Sequence, residues 1–181
     1  MTVTRATSED TDRIIEIIEE ARSFQLSYGN KQWAGGYPSR TLIEEDIKEG
    51  IGYKILVDDE IAGYMAIVSH DDSYARIEGR WITAGPYIAI HRLALSDSWR
   101  GKGLFSSIIE EVVEIGKENG AVSLRIDTDK SNPIMKHLLK KLGFLHTGHV
   151  LFEDDPKPAY ELPFAKIYIA TSMLKSWFVT K

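Results

Sequence analysis

Trp99-Arg100-Gly101-Lys102-Gly103-Leu104-Phe105 is the stretch on which the reading of this chain turns. Just upstream lies an apolar run, Tyr87–Leu95, interrupted by His91 and Arg92. Just downstream, Leu104, Phe105, Ile108, Ile109, Val112, Val113 and Gly116 recur at helical spacing. The seven residues therefore join a strand to a helix. The first N–H groups of a helix have no partner inside it and lie at the positive end of its dipole. Glycines before them let a ligand come close to the backbone. Such a turn can bind a pyrophosphate, with Arg100 and Lys102 adding charge. Taken alone, an Arg-Gly-x-Gly string is explained equally well as a plain connecting turn. The chain has no G-x-x-x-x-G-K-[ST] loop, no G-x-G-x-x-G fingerprint and no kinase signature.

Working outward, the punctuation is that of alternating strands and helices. Toward the N-terminus, 61–69 and 53–57 are strand-like runs around the turn Asp58-Asp59-Glu60. Before them come a short helix over 41–49 and a loop over 28–40 with three glycines, Trp33 and Tyr37. Ile14, Ile15, Ile17, Ile18 and Ala21 mark a first helix, with Thr7 and Asp10 in capping-box spacing ahead of it. Residues 3–5 make a short first strand, and 70–80 is a polar stretch. Toward the C-terminus, Val122, Leu124 and Ile126 alternate with polar residues, as a half-buried strand does. Asn132-Pro133 opens a helix whose apolar face is Ile134, Met135, Leu138, Leu139 and Leu142, and Gly143 ends it. Two last strands are expected over 144–152 and 160–170, around a loop at 153–158. The order β-α-α-β-β-β-α-β-α-β-β implies an α/β (α+β) fold, a mixed sheet covered by helices.

The chain has 181 residues, 43% of them hydrophobic and 27% charged. That is the scale and composition of one soluble domain over 1–181. It contains no cysteine, which removes disulfides, thiolate metal sites and cysteine nucleophiles. The formal net charge of −5 speaks against nucleic acid and favours a cationic partner. No signal-peptide core and no window of about 18 apolar residues is present, so a cytoplasmic protein with no membrane contact is expected. His137, His146 and His149 do not stand at metal-ligand spacing with acidic partners, and no metal is expected.

Residues 87–143 resemble the acyl-CoA-binding half of the GNAT N-acetyltransferase superfamily. Arg100 and Gly103 match its [Q/R]-x-x-G-x-[G/A] signature, and Phe105 departs from it. Ile90-His91-Arg92-Leu93-Ala94-Leu95 resembles the strand before that loop, and Asn132-Pro133 followed by Leu138 to Phe144 resembles the later helix that ends in Gly-Phe. The resemblance implies a mostly antiparallel central sheet of about six to seven strands, with about four helices and a splayed fourth and fifth strand. It implies acetyl-CoA as co-substrate and direct attack by an amine in a ternary complex. The pantetheine arm would lie along the backbone of Leu93, Ala94 and Leu95. Arg100, Gly101, Lys102, Gly103, Leu104, Phe105 and Ser106 would hold the pyrophosphate, and Asn132 would contact the pantetheine. Dimers are common in the superfamily, which makes a homodimer a candidate assembly.

The remaining roles stay open between chemistry and packing. His91 is a candidate base for the amine, or a buried structural histidine. The position where many of these enzymes carry a tyrosine as general acid is Leu139, and Tyr160 is a substitute acid or a packing aromatic. Asn132 is also a good helix cap. Gln32, Trp33 and Tyr37 form a candidate acceptor lid, with Tyr87 beside it; a loop pinned by a buried Trp33 is the competing reading. The acceptor expected is a small-molecule amine. A protein or peptide amine, or an acyl-CoA sensor without catalysis, are the alternatives.

Overall fold

The computed structural model describes residues 1–152 and 155–165. One sheet of eight strands runs through it: β1 (Thr2–Arg5), β2 (Gly52–Val57), β3 (Glu60–Val68), β4 (Glu78–Gly79), β5 (Tyr87–Leu95), β6 (Ser123–Asp127), β7 (Leu145–Phe152) and β8 (Asp155–Pro163). Their spatial order is β1-β2-β3-β5-β6-β8-β7-β4. Every neighbouring pair is antiparallel except β5 and β6. The helices are α1 (Thr11–Ser27), α2 (Arg40–Lys48), α3 (Asp72–Ala75), α4 (Phe105–Glu118) and α5 (Pro133–Lys141). This is the mixed, mostly antiparallel sheet the sequence implied. The additions are the one-turn α3 and the two-residue β4, both inside the polar stretch 70–80, where no periodicity exists to reveal them.

The alternation of side chains along a strand sorts the helices to two faces. Ile88 and Ile90 of β5, with Leu124 and Ile126 of β6, meet Phe105, Ile108, Ile109, Val112 and Val113 of α4 and Leu139 of α5. On the opposite face, Tyr64 and Ala94 meet Ile14, Ile17, Ile18 and Ala21 of α1 and Ile43 of α2. The same face carries a smaller cluster of Tyr74, Ala89, Val150 and Ala159. Among the described residues, no helix is long and apolar enough to cross a membrane.

Local signals place several boundaries. Asp58 and Asp59 have φ of 50° and 64°, the left-handed pair of a two-residue hairpin turn between β2 and β3. Ser39 Oγ accepts from Leu42 N–H at 3.2 Å and starts α2. The end of the chain differs from expectation. The strand expected over 160–170 begins instead at Asp155 and ends at Pro163, and 166–170 lie outside the described residues. Pro156 and Pro158 do not forbid it. They stand two apart, so their missing N–H groups fall on one edge, and β6 pairs with β8 only from Ala159 onward.

Candidate active site

β5 and β6 pair only from Tyr87 with Ser123 to Ala89 with Arg125. β5 then continues to Leu95 and β6 to Asp127 without facing each other, so the sheet opens between them. The other edge of β5 carries a bulge. Tyr64 pairs with Ala94 and Ala66 with His91, which leaves Arg92 and Leu93 opposite Met65 alone. Arg92 takes a φ of 58° to make it. The bulge comes after His91, so His91 keeps the face of Tyr87 and Ala89. A cavity of about 570 Å³ occupies the opening. Ile90, His91 and Leu93 of β5, Ile126 and Asp127 of β6, and Asn132 and Met135 at the start of α5 form its inner wall.

Ala94 and Leu95 continue the cleft edge beyond Leu93, and the loop 100–104 follows. Gly101 and Gly103 have φ of 77° and 79°, a backbone other residues adopt only at a cost. A Cβ added to either would meet no protein atom within 4 Å, so the space above both is open to a ligand. No side chain caps α4, whose N-cap is Leu104. Phe105, the departure from the family signature, turns its side chain into the core at 8% exposure and leaves the loop clear. Ser106 Oγ is 3.5 Å from the Gly103 carbonyl. Arg100 is engaged by the protein itself: it pairs with Asp97, reaches the Leu95 carbonyl at 3.4 Å and lies 4.0 Å from the Phe24 ring centroid. Lys102 sits over Trp99. The loop thus offers mainly backbone to an anion. These features fit a coenzyme A pyrophosphate, with residues 101–106 as its cradle and the β5–β6 cleft as the slot for its arm.

His91 sits between two carboxylates. Nε2 is 3.2 Å from Asp71 Oδ2, within ion-pair range but out of line for a hydrogen bond, and Nδ1 is 3.9 Å from Asp127 Oδ1. Burial raises the Asp71 carboxyl, but the His91 ring and the N–H groups of Ser73 and Tyr74 outweigh it and hold its pKa below the usual range. Burial pushes Asp127 up, against the lowering effect of His91 and of the Tyr74 hydroxyl, which donates to it at 2.7 Å. The two carboxylates flanking one imidazole are therefore set apart in acidity. Tyr87 lies outside the cavity lining, one layer back: its ring stacks on Tyr74, and its hydroxyl accepts from Asp71 N–H at 3.0 Å.

Gln32, Trp33 and Tyr37 do line the cavity. Trp33 is only 5% exposed and packs with α1, so the 28–39 segment is pinned to the core at that residue. Arg22 holds the carbonyls of Tyr37 and Pro38 at 3.4 and 3.0 Å, and buried Asn30 is bound to Gln25 at 2.9 Å. Asn132 caps α5 by accepting from Met135 N–H at 3.0 Å, and Tyr28 Oη donates to the same oxygen at 3.4 Å. Tyr160 pairs with Ile126 across the sheet, packs on His146 at 5.3 Å between ring centroids, and does not line the cavity. Leu139 is fully buried in the core.

Asp71, Asp127, Gln25, Phe152 and Lys157 are cavity or near-cavity residues that the sequence did not single out; Asp155, also in the lining, belongs to the acidic run 153–155, which reads as a solvated turn or as an attraction for a cationic acceptor. Lys157 is bound by Asp129 and Asp155, each at 2.6 Å. Asp127 had a signal: it closes a half-buried alternating strand, next to the helix whose start was recognised. The others come from segments far apart in sequence, and no local spacing links them.

Residues 15–144 match the model of the acetyltransferase (GNAT) family. No curated protein sequence matches the chain. Among solved structures, a GNAT-family acetyltransferase from Streptococcus agalactiae is 32% identical, with a TM-score of 0.81 over 90% of this chain and 94% of that one. The PaiA N-acetyltransferase of Thermoplasma acidophilum, solved with coenzyme A, is 16% identical, with a TM-score of 0.67 over 90% of this chain and 98% of that one. AAC(6')-Ib, solved with ribostamycin and coenzyme A, is 20% identical, with a TM-score of 0.68 over 92% of this chain and 95% of that one. With the family model over most of its length and a GNAT relative at this identity, the chain belongs to the GNAT acetyltransferase family and is an acyltransferase.

Proposed function

We propose that the protein moves the acetyl group of acetyl-CoA to the primary amine of a small molecule. The observation that carries this reading is the cavity itself. Its volume of about 570 Å³ suits a small ligand, and it joins the opened backbone of β5 to the His91 cluster. Trp33 and Tyr37 wall it on one side and Phe152, Asp155 and Lys157 on the other, which favours a compact acceptor over an extended peptide. Two relatives of the same fold, solved with coenzyme A, are an N-acetyltransferase and a protein also bound to ribostamycin, which supports the same direction.

Acetyl-CoA, when bound, supplies an acyl group already activated as a thioester. The chain does the rest by placement. The backbone of residues 93–95 would hold the arm, and an N–H in this stretch could stabilise the oxyanion that forms on the thioester carbonyl. Amines arrive protonated near neutral pH, so a proton must leave before attack. His91 takes it, and Asp71 at 3.2 Å steadies the resulting imidazolium. The acidic surroundings of His91, with Asp71 held ionised, favour a cationic acceptor. Holding both reactants in one cavity removes much of the entropic barrier. Leu139 supplies no acid at its position in α5, and the thiolate would take its proton from solvent in this scheme.

The test is a thiol-release screen of purified protein with acetyl-CoA against amino acids, polyamines, aminoglycosides and N-terminal peptides. Turnover with small amines and none with peptides is expected. Turnover confined to peptides would overturn the acceptor class. Coenzyme A binding without turnover on any amine would make the protein a sensor.

A further inference from the structure

Arg92 stands apart from the other described non-glycine residues with positive φ. Asp58 and Asp59 occupy a tight hairpin turn, whereas Arg92 lies within β5, at φ 58°. A non-glycine residue keeps such a backbone only when its surroundings hold it there. They do so here through the side chain. The guanidinium is bidentate on Asp46 of α2, with Nε to Oδ2 at 2.8 Å and Nη2 to Oδ1 at 2.7 Å. Asp46 is 3% exposed, and it also accepts from the Tyr64 hydroxyl at 2.8 Å. The remaining nitrogen, Nη1, donates to the Tyr37 hydroxyl at 3.2 Å. One planar fork thus links the bulge that carries it to two other parts, the helix α2 through Asp46 and the cavity wall 28–39 through Tyr37. The next residue, Leu93, lines the cleft.

We propose that Arg92 is a positioning residue. Paired with Asp46, it fixes the β5 bulge, and with it the Leu93–Ala94 backbone at the cleft. Through Tyr37 it ties the acceptor wall to the same point. The cofactor half and the acceptor half of the cavity are therefore registered to each other by one guanidinium. The geometry explains why the residue is arginine: a lysine has the charge but not the fork that meets both carboxylate oxygens and a phenol at once. This inference rests on reading the cleft as the coenzyme A site.

The test compares the full chain with Arg92→Lys, Asp46→Asn and Tyr64→Phe, by hydrogen exchange without ligand and by calorimetric titration with coenzyme A. Arg92→Lys and Asp46→Asn are expected to raise backbone exchange in 90–95 and 31–38, and to weaken coenzyme A, each by about tenfold, while the thermal melt stays above the assay temperature. Tyr64→Phe removes a more deeply buried bond to Asp46 Oδ2 while leaving all three bonds of the fork in place, and is expected to change both by less than about twofold. A merely structural role would make the three alike, and equal effects overturn the proposal. So does unchanged exchange in Arg92→Lys, the variant that keeps the charge and carries the test if Asp46→Asn does not fold. Failure of the wild type to bind coenzyme A would refute the cofactor reading, while the exchange data would still decide the positioning role.

Discussion

The two sides of the proposed site are built from different material. On the side read as the cofactor's, which runs from the cavity on into the loop before α4, the open groups are backbone: the β5 edge after Ala89, the left-handed Gly101 and Gly103, and an α4 start that no side chain caps. On the acceptor side they are side chains drawn from distant segments: Trp33 and Tyr37 from the 28–39 wall, His91 from β5, Asp127 from β6, Asp155 and Lys157 from β8. A site made of backbone tolerates exchange of its side chains as long as the chain path is kept. Phe105 shows this, since it breaks the family signature and simply turns into the core. A site made of side chains can change its ligand without changing the fold. The shared fold and cofactor reading on one side, and the open acceptor on the other, follow from that division.

The comparison can be broken at several places. His91→Ala is expected to cost the most, about a hundredfold in kcat, and to remove the limb of the pH–rate profile that reports the base. An unaltered profile would take His91 out of the chemistry. Next comes Asp129, beside the cavity. Burial raises its carboxyl, but Lys157 and Ser131 outweigh that and hold it down to about 2. Its folded pKa lies below the ordinary carboxylate value of 3.8, so its stabilisation is complete above about pH 5 and is lost as pH falls toward 2. That amounts to about 2 kcal/mol, and Asp129→Asn should flatten this acid limb in denaturant titrations. Gly103→Val is expected to weaken coenzyme A by at least about tenfold, because a side chain would fill the open space above the loop and φ 79° opposes it. Circular dichroism should stay close to wild type. The smallest effect is expected for Tyr160→Phe, within about twofold in rate, since its ring packs on His146 and lies outside the cavity lining. A large loss there would place its hydroxyl in the reaction.

The same division decides what could be read from the sequence. The strand–turn–helix around Arg100 to Phe105 is local, with all its signals within a few residues, and so are the two-residue turn at Asp58-Asp59 and the Asn132-Pro133 cap. Periodicity placed α1, α4 and α5 because each has one buried face. It failed where there is none: α3 and β4 are too short to repeat. The start of β8 is hidden because Pro156 and Pro158 read as loop residues, although the register puts both missing N–H groups on the edge that β6 joins only from Ala159. His91 was legible as a polar residue inside an apolar run. Its partners Asp71 and Asp127 were not, because their meeting depends on the order β3-β5-β6 and on the turn of α3. The part Arg92 plays has no local signal, since it lies in contacts with Asp46 and Tyr37, 46 and 55 residues away.

The most direct test of the account is a calorimetric titration of the purified wild-type chain with coenzyme A and acetyl-CoA, with ATP as the comparison. The account predicts saturable binding of both coenzyme forms in the micromolar range and none of ATP. Failure of both to bind would mean that residues 100–106 are only a connecting turn, and would contradict the functional reading built on the cleft.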